Sequence, residues 1–426
     1  MPLSKPRFFF FLSLSLSFFF SYFFLFPFTV DFSYFILYNY LFLSLWRYYM
    51  EINLISLKNV ASSIPDPRIN RTKKHNLADM VVIAVYAIIC GADGWEDIEF
   101  IAKERFVFLN QCLNLDNGIP SHDTFRRVFS RISETQLMLA LTRWTNELQN
   151  SFEGKHIAID GKTLKHSFDT AAEKSALHSI TAYVSETGLV LSQIVGDNKQ
   201  SEIKQDINLL KMLDIRDAIV TIDAIGCQKA TVAQITRGNK ADYVIACKNN
   251  QPALYDEITS IFNSQYDCPN DYCQNFDKGH GRVETRSCEC LDITAVKSDV
   301  FAQWKGLKTI ARVTSMRETS STQSTETRYF ISSLPCNAEK ILSTVREHWK
   351  IENSLHWTLD VVFHEDDSRI RKDHGPANFA CLRRTALFFI KKNKRDIGNN
   401  KVTSNKRARL GAMLNPNYTV TLITGI

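Results

Sequence analysis

The spacing of apolar residues predicts helices first. From Asn53 to about Asn150 the pattern is helical, and the apolar run from Met80 to Cys90 is long enough for a buried helix. Gly91 and Gly94 follow this run, as expected where a helix ends. The sequence therefore predicts a helical N-terminal domain over residues 50–150.

The spacing then changes to short apolar runs that alternate with helical segments. Three apolar runs come first, and afterwards helix and strand alternate, which is typical of a mixed α/β sheet. Strands are predicted at 156–160, 179–184, 189–195, 218–223 and 243–246, and helices at 202–213, 227–236 and 254–262. Residues 151–263 are thus the predicted first part of an α/β core.

The rest of the chain divides into three further segments. Residues 264–335 are broken by Pro and Gly and carry strand-like runs at 308–313 and 328–331, so we expect a β-rich insertion. Helical spacing returns over 336–395 and completes the core. Residues 396–426 are expected to form a basic C-terminal tail.

The first 49 residues differ from the remainder, since they hold 14 of the 29 Phe and only one charge, Asp31, between residues 8 and 46. One interpretation is a membrane segment, or a signal peptide introduced by Lys5 and Arg7. The other is an upstream non-coding stretch read in frame, with the natural start at Met50. The segment has one Val and no Ala or Gly, so we favour the second interpretation and expect no genuine membrane association.

Composition places the rest among folded, multidomain proteins, with 45% hydrophobic and 23% charged residues in 426. Ten Cys are too few for a disulfide scaffold, which favours a reducing bacterial cytosol. Ten Lys and Arg against one acid lie between Arg383 and Arg409. This basic stretch predicts contact with a polyanion, and the alternative is a solvated tail.

A second basic feature follows the turn Gly118–Pro120. Ser121 is a fair N-cap for a helix that carries Arg126, Arg127 and Arg131 beside apolar residues. A turn followed by such a helix is typical of a helix that reads a DNA groove, and also of any surface helix.

Two acids follow apolar strands. Asp160 and Asp223 each end a predicted strand, and ligands of α/β sheets bind at the carboxyl ends of strands. Two neighbouring carboxylates repel each other unless a cation lies between them, which predicts a divalent metal site. The alternative is that each Asp begins a turn.

His348, Glu352 and His356 are spaced four apart on a predicted helix. Two His at this spacing can bind zinc, but no further ligand is evident. Cys268, Cys273, Cys288 and Cys290, with His280 between them, fit zinc spacings poorly and are expected to be incidental thiols.

Seven blocks in this order resemble the DDE transposases of insertion sequences, in the ISAs-type group that includes the H-repeat-associated proteins. The resemblance covers about residues 60–420. The blocks are Ile64–Arg68, Cys90–Ile98, Ile159–Lys162, Thr221–Ala224, Lys248–Gln251, Gly279–Glu284 and His348–Asn353 with Leu359–Asp360 and Glu365–Asp366.

The resemblance implies an RNase H-like core with a β-rich insertion before the third acid. It implies catalysis by Asp160, Asp223 and Glu352, which would bind Mg²⁺ or Mn²⁺, with two ions expected; Glu365 and Asp366 are the rivals for the third position. Related transposases carry a helix motif Y-x2-R-x3-E-x6-K. Here the Tyr, Arg and Lys positions of this motif hold Val345, His348 and Leu359. The resemblance therefore does not indicate whether excision forms hairpins.

The implied activity is cleavage at the element ends and transfer of the freed 3′-OH into target DNA. The implied partners are double-stranded DNA, namely inverted repeats and target, and a second copy of the chain in a synaptic homodimer at the nucleoid. The alternatives are a nuclease without strand transfer and an inactive DNA-binding relic. The candidate DNA contacts are Arg126, Arg127, Lys162, Lys248, Asn249, Gln251, His280, Arg282, His348, Lys391 and Lys392.

Overall fold

The N-terminal part of the structure is helical, as predicted. The computed structural model describes residues 57–424 except 114, 148–150, 170–172, 197–201, 265–268, 280–281, 320, 395 and 398–400. Ser121 caps the Arg-bearing helix, accepting a hydrogen bond from the N–H of Thr124. The helices are α1 (Leu77–Ile89), α2 (Trp95–Glu104), α3 (Phe106–Cys112), α4 (His122–Phe129) and α5 (Glu134–Glu147).

The core is an α/β layer built on one nine-stranded mixed sheet. Across the sheet, the strands run in the order β3 (Leu189–Gly196), β2 (His178–Val184), β1 (His156–Thr163), β4 (Ile219–Ile222), β5 (Asp242–Cys247), β9 (Gln323–Ser332), β8 (Thr309–Thr319), β7 (Arg282–Asp292) and β6 (Asp271–Gly279). The first elements are β1 (His156–Thr163), β2 (His178–Val184), β3 (Leu189–Gly196), α6 (Glu202–Met212), β4 (Ile219–Ile222), α7 (Lys229–Ala233), β5 (Asp242–Cys247) and α8 (Pro252–Asn263). These elements agree with the predicted strands and helices.

The register of β1 places the two strand-end acids side by side. β1 and β4 are parallel, with Ile159 opposite Ile222, so Asp160 and Asp223 are the next residues on neighbouring strands. One detail of the prediction is wrong, because β1 does not end at Asp160. It continues to Thr163 because its other edge is paired with β2, where Asp160 faces Thr181.

The β-rich insertion is longer and more regular than the predicted runs. It forms β6 (Asp271–Gly279), β7 (Arg282–Asp292), β8 (Thr309–Thr319) and β9 (Gln323–Ser332). It extends the core sheet, since β9 pairs with β5 from Val244 opposite Ser332 to Cys247 opposite Tyr329. Cys288 and Cys290 lie in its apolar core as buried thiols.

The C-terminal part returns to helices that cover the sheet. They are α9 (Ala338–Lys350), a π-helical turn (Ile351–His356), α10 (Trp357–Phe363), α11 (Gly375–Asn393), α12 (Asn405–Leu414) and α13 (Pro416–Thr424). A short pair, β10 (Asp396–Ile397) and β11 (Lys401–Val402), joins the last two helices to α11. The expectation of a basic tail over 396–426 was wrong in form, because apolar residues of α12 and α13, such as Ala408 and Leu422, are fully buried.

Aromatic packing joins the helical region to α11. The ring of Trp95 stacks on Phe129 at 5.2 Å and meets Phe379 of α11 edge-on at 4.7 Å. Across residues 57–424, apart from the gaps given above, no helix is both long and apolar enough to cross a membrane. The apolar segment 8–46 lies outside the described residues.

Candidate active site

The two strand-end aspartates form the centre of an acidic cluster. Asp223 leaves β4 and accepts hydrogen bonds from the N–H groups of Ile225 (3.0 Å) and Gly226 (3.4 Å), which fixes its side chain beside the strand end. Asp160 lies on β1 and its side chain is 17% exposed. Because parallel strands hold neighbouring residues at fixed spacing, the sheet keeps these two carboxylates together.

Glu352 approaches the cluster from the helix that follows the insertion. It lies in the π-helical turn, where its own carbonyl accepts from the N–H of Trp357, five residues later. Burial raises the pKa of the Glu352 carboxyl, Arg328 opposes this shift, and Asp223 adds to it. The electrostatic effect of Asp223 shows that the structure brings Glu352 near the strand ends.

The pKa of Asp160 reports how closely the acids are crowded. Burial is the largest of the effects that raise this pKa to about 7; the N–H of Gly161 opposes the rise, and the nearby carboxylates of Glu352, Asp223 and Glu202 add to it. The imidazole Nδ1 of His356 lies 3.5 Å from Asp160 Oδ2. Burial lowers the pKa of His356 to about 3, so this imidazole is neutral and does not neutralise the cluster.

Two acids of the cluster were missed in the sequence. Glu202 and Asp206 are buried on α6, and a Cβ at Gly161 would lie 2.8 Å from Glu202 Oε1 and closer still to His178 Nε2, so both side chains would have to shift to admit it. Burial raises the pKa of Asp206 to about 8, with contributions from Glu202, Asp223 and Asp160. Their spacing of four on a predicted helix was an available signal, since it places both on one face.

The donor set fits a hard divalent cation. All five acids offer carboxylate oxygens, which Mg²⁺ and Mn²⁺ prefer, and the buried Glu202 Oε2 has no hydrogen-bond partner in the structure. Among the described residues, no group of three or more His, Cys, Asp or Glu is arranged tightly enough to hold an ion as it stands. The carboxylates would therefore have to draw closer around a bound cation.

Because the carboxylates are crowded, the free energy of unfolding should depend on pH when a chelator removes divalent ions. Asp206 titrates at about 8 in the folded protein and near 3.8 in a model peptide, so stability falls as pH rises through this interval. Asp206→Asn should recover about 1–3 kcal/mol at about pH 8.5 and little at about pH 4. Urea unfolding at both pH values measures this, with the exposed Asp214→Asn as control. Equal gains for both variants would contradict the prediction.

Lys162 contacts acids in the structure. Its ammonium bonds Asp360 and lies 3.2 Å from Glu365 Oε2 and 3.5 Å from Asp366 Oδ1. Glu365 is buried and also pairs with Arg384 at 2.7 Å. Burial would raise the pKa of Glu365, but Arg384 and Lys162 outweigh it and lower the pKa to about 2. The two rivals for the third acid therefore each contact a cation, whereas Glu352 experiences the charge of Asp223.

His348 is held against the sheet. Its Nδ1 lies 2.8 Å from the hydroxyl of Thr221, which lies 2.7 Å from His156 Nε2. Burial lowers the pKa of His348 to about 4, so it is neutral and fastens α9 to β4. The two His of the zinc interpretation contact different strands, His348 at Thr221 and His356 at Asp160.

The remaining candidate DNA contacts occupy several surfaces. Arg126 and Arg127 are exposed on α4, and Lys248 and Asn249 are exposed after β5. Gln251 donates to the side chain of Gln228 at 3.0 Å. Arg282 pairs with Glu284 at 2.7 Å, and His280 lies outside the described residues.

Part of the basic stretch between Arg383 and Arg409 is buried. Arg383, Arg384 and Arg409 are each less than a tenth exposed. Lys391 donates to the hydroxyl of Tyr183 at 2.9 Å and to the carbonyl of Ser354 at 2.8 Å. Lys392, Lys406 and Arg407 are exposed. The stretch therefore divides between cations that are used inside the fold and cations that face solvent.

Comparison with known proteins agrees with this architecture. The family described as "Transposase DDE domain" matches residues 151–389, and "DDE_Tnp_1-associated" matches 59–145. The "Putative transposase YncI" of Escherichia coli O157:H7 is 37% identical over 345 residues, 80% of this chain and 88% of the relative. The "H repeat-associated putative transposase YhhI" of Escherichia coli K12 is 37% identical over 353 residues, 80% of this chain and 92% of the relative.

A shorter relative matches a smaller part. The "Inactive transposase YbfQ" of Escherichia coli K12 is 40% identical over 80 residues, 19% of this chain and 95% of the relative. The long matches cover both the helical region and the sheet. The chain belongs to the DDE transposase family, whose catalytic domain is RNase H-like.

Proposed function

We propose that this protein cuts DNA at the ends of an insertion sequence and joins the freed 3′-OH to target DNA, using Asp160, Asp223 and Glu352 as metal ligands. The observation that supports the proposal is the adjacency of Asp160 and Asp223 on neighbouring strands, with the charge of Glu352 acting on Asp160 from a third element. Register makes Asp160 and Asp223 neighbours, and Glu352 is close enough to raise the pKa of Asp160. Such crowding costs stability, which is typical of a functional site.

The three carboxylates would hold Mg²⁺ or Mn²⁺, and Glu202 and Asp206 lie where they could complete or neutralise the set. Divalent ions in such sites stabilise charge on the attacking and leaving oxygens of a phosphodiester. The protein's own contribution is positioning. The sheet fixes Asp160 and Asp223, the backbone N–H groups of Ile225 and Gly226 orient Asp223, and His356 lies against Asp160.

DNA is the substrate that the family implies, and exposed cations support its binding. Arg126 and Arg127 on α4, Lys248 after β5 and Lys392 on α11 are exposed side chains that can meet phosphates. We propose that Lys248 and Asn249 serve the scissile strand, because β5 neighbours β4 and its carboxyl end lies beside Asp223. A homodimer in a synaptic complex is part of this proposal.

Two alternatives share the fold. A nuclease would use the same acids without strand transfer, and an inactive relic would bind DNA without cutting it. One relative of part of this chain is named "Inactive transposase YbfQ", which makes the second alternative concrete. All three acids and their supporting strands are present in this chain, which favours the active protein.

The test is to incubate the purified chain with duplex DNA that carries its flanking inverted repeats, with Mg²⁺, Mn²⁺ or a chelator. The proposal expects nicks at the repeat ends and joined products with either ion and none with chelator. Nicks without joined products would favour the nuclease, and binding without nicks would favour the relic.

A further inference from the structure

The turn that carries Glu352 is irregular and is supported from outside. Between α9 and α10 the backbone is π-helical over Ile351–His356, which is rarer than α-helix and is found often at functional sites. A π-helical turn changes the directions in which its side chains and the following ones point. Its geometry therefore decides where the Glu352 carboxylate points, and contacts that hold the turn hold the carboxylate.

One cation makes such a contact. The Nζ of Lys391, near the end of α11, donates to the carbonyl of Ser354 in the π turn at 2.8 Å. It donates at 2.9 Å to the hydroxyl of Tyr183, and it lies 5.0 Å from the centre of the Tyr183 ring. A single ammonium thus joins α11, the π turn and β2.

Tyr183 links this contact to the other acids. It is buried on β2 and pairs with Ala158 of β1, two residues before Asp160. Lys391 is therefore connected to the strand of Asp160 through Tyr183, and to the π turn of Glu352 through Ser354.

The fold leaves room for the Lys391 side chain. Gly188, in the turn between β2 and β3, has φ +73°, and a Cβ there would lie 2.8 Å from Cδ of Lys391. The missing Cβ at Gly188 therefore leaves room for the aliphatic part of the Lys391 side chain. On the other side of Glu352, His348 holds the end of α9 to Thr221 at 2.8 Å. Glu352 lies between these two anchors, four residues after one and two residues before the other.

We infer that Lys391 is a positioning residue, which holds the π turn so that Glu352 faces Asp160 and Asp223. This inference rests on the proposed function, since it gives Lys391 a role through Glu352. It replaces the expectation that Lys391 contacts DNA. Lys392 is exposed and offers a matched comparison at the adjacent position.

The test compares Lys391→Met, Lys391→Arg and Lys392→Met in the full chain. Lys391→Met should weaken Mn²⁺ binding, measured by titration calorimetry, and slow single-turnover cleavage at saturating DNA, each by about tenfold or more. Its DNA dissociation constant and salt dependence should stay within about twofold of wild type. Lys391→Arg should restore much of both losses because it keeps a donor.

Lys392→Met should do the reverse, with unchanged Mn²⁺ binding but weaker DNA binding and a salt slope smaller by about one unit. A Lys391→Met protein with wild-type Mn²⁺ affinity would overturn the inference. So would a smaller salt slope in Lys391→Met at unchanged Mn²⁺ affinity, which would make Lys391 a DNA contact. If Lys391→Met fails to fold, Tyr183→Phe, which removes one acceptor only, should show a smaller loss in the same direction.

Combination with Glu352→Gln separates this inference from the proposed function. If Lys391 acts through Glu352, Lys391→Met should not weaken Mn²⁺ binding further in a Glu352→Gln background. Additive losses would overturn the positioning role and leave the proposed function intact. A Glu352→Gln protein that binds Mn²⁺ and cuts DNA like wild type would refute the proposed function and, with it, the role of Lys391.

Discussion

Glu352→Gln is expected to lower DNA cleavage at least about a hundredfold while DNA affinity stays within about twofold. The amide keeps the size of the side chain but removes the charge that a divalent ion requires. DNA affinity should survive because the exposed cations that serve it lie elsewhere, on α4 and α11. Cleavage is followed on labelled repeat ends, and affinity by fluorescence anisotropy.

The same substitution should leave the free energy of unfolding unchanged or slightly higher in chelator. In that state Asp223 acts on Glu352 as a like charge and burial disfavours its ionised form, so the amide removes a cost. Glu339→Gln is the matched control, since Glu339 is exposed in the first turn of α9 and should show wild-type cleavage. A Glu352→Gln protein that cuts at the wild-type rate would exclude Glu352 as the third acid.

Arg384→Met is expected to destabilise the fold by about 3–5 kcal/mol, because it leaves the Glu365 carboxylate buried without its partner at 2.7 Å. Among the described residues, Glu365 then keeps Lys162 as an ion-pair partner at 3.2 Å. The contribution of the Glu365 charge is present above its unfolded pKa and should fade as pH falls from 4.5 towards about 2. Urea unfolding at neutral and acid pH measures both effects.

A double substitution and an exposed pair are the controls. Glu365→Gln together with Arg384→Met should lose less than Arg384→Met alone, since no buried charge is left unpaired. Asp123→Asn breaks the exposed pair with Arg126 and should cost less than about 1 kcal/mol. Equal losses from Asp123→Asn and Arg384→Met would show that burial of the Glu365 pair does not set its importance.

The core elements could be predicted because local sequence determines them. The strands of residues 156–246 are short runs of apolar residues, and their order follows from the alternation with helices. The long strands β6 and β7 could not be predicted, since their residues are polar, mostly exposed in β6 and mostly part-exposed in β7, and only pairing with neighbouring strands makes them regular. The same holds for α12, where packing against α11 outweighs the basic composition.

The candidate site was predicted in part, for a related reason. Asp160 and Asp223 follow apolar strands, so their proximity follows from sheet geometry. Glu352 was assigned by resemblance, because no local pattern reveals a π turn. The contacts of Lys162 and Lys391 could not be predicted, since Lys162 meets Asp360, 198 residues away in the chain, and Lys391 meets Tyr183, 208 residues away. Charge counted along a sequence does not show which cations face solvent.

The pairing of β9 with β5 has a consequence for shortened copies of this gene. A chain that stopped before residue 264 would keep Asp160 and Asp223, yet its β5 would become a sheet edge with Tyr243, Val244 and Ile245 no longer covered by the insertion. Exposed apolar edges recruit strands from other chains. Such a fragment would aggregate before it could compete with the intact protein for DNA, so truncation at this point would silence a copy without making it an inhibitor.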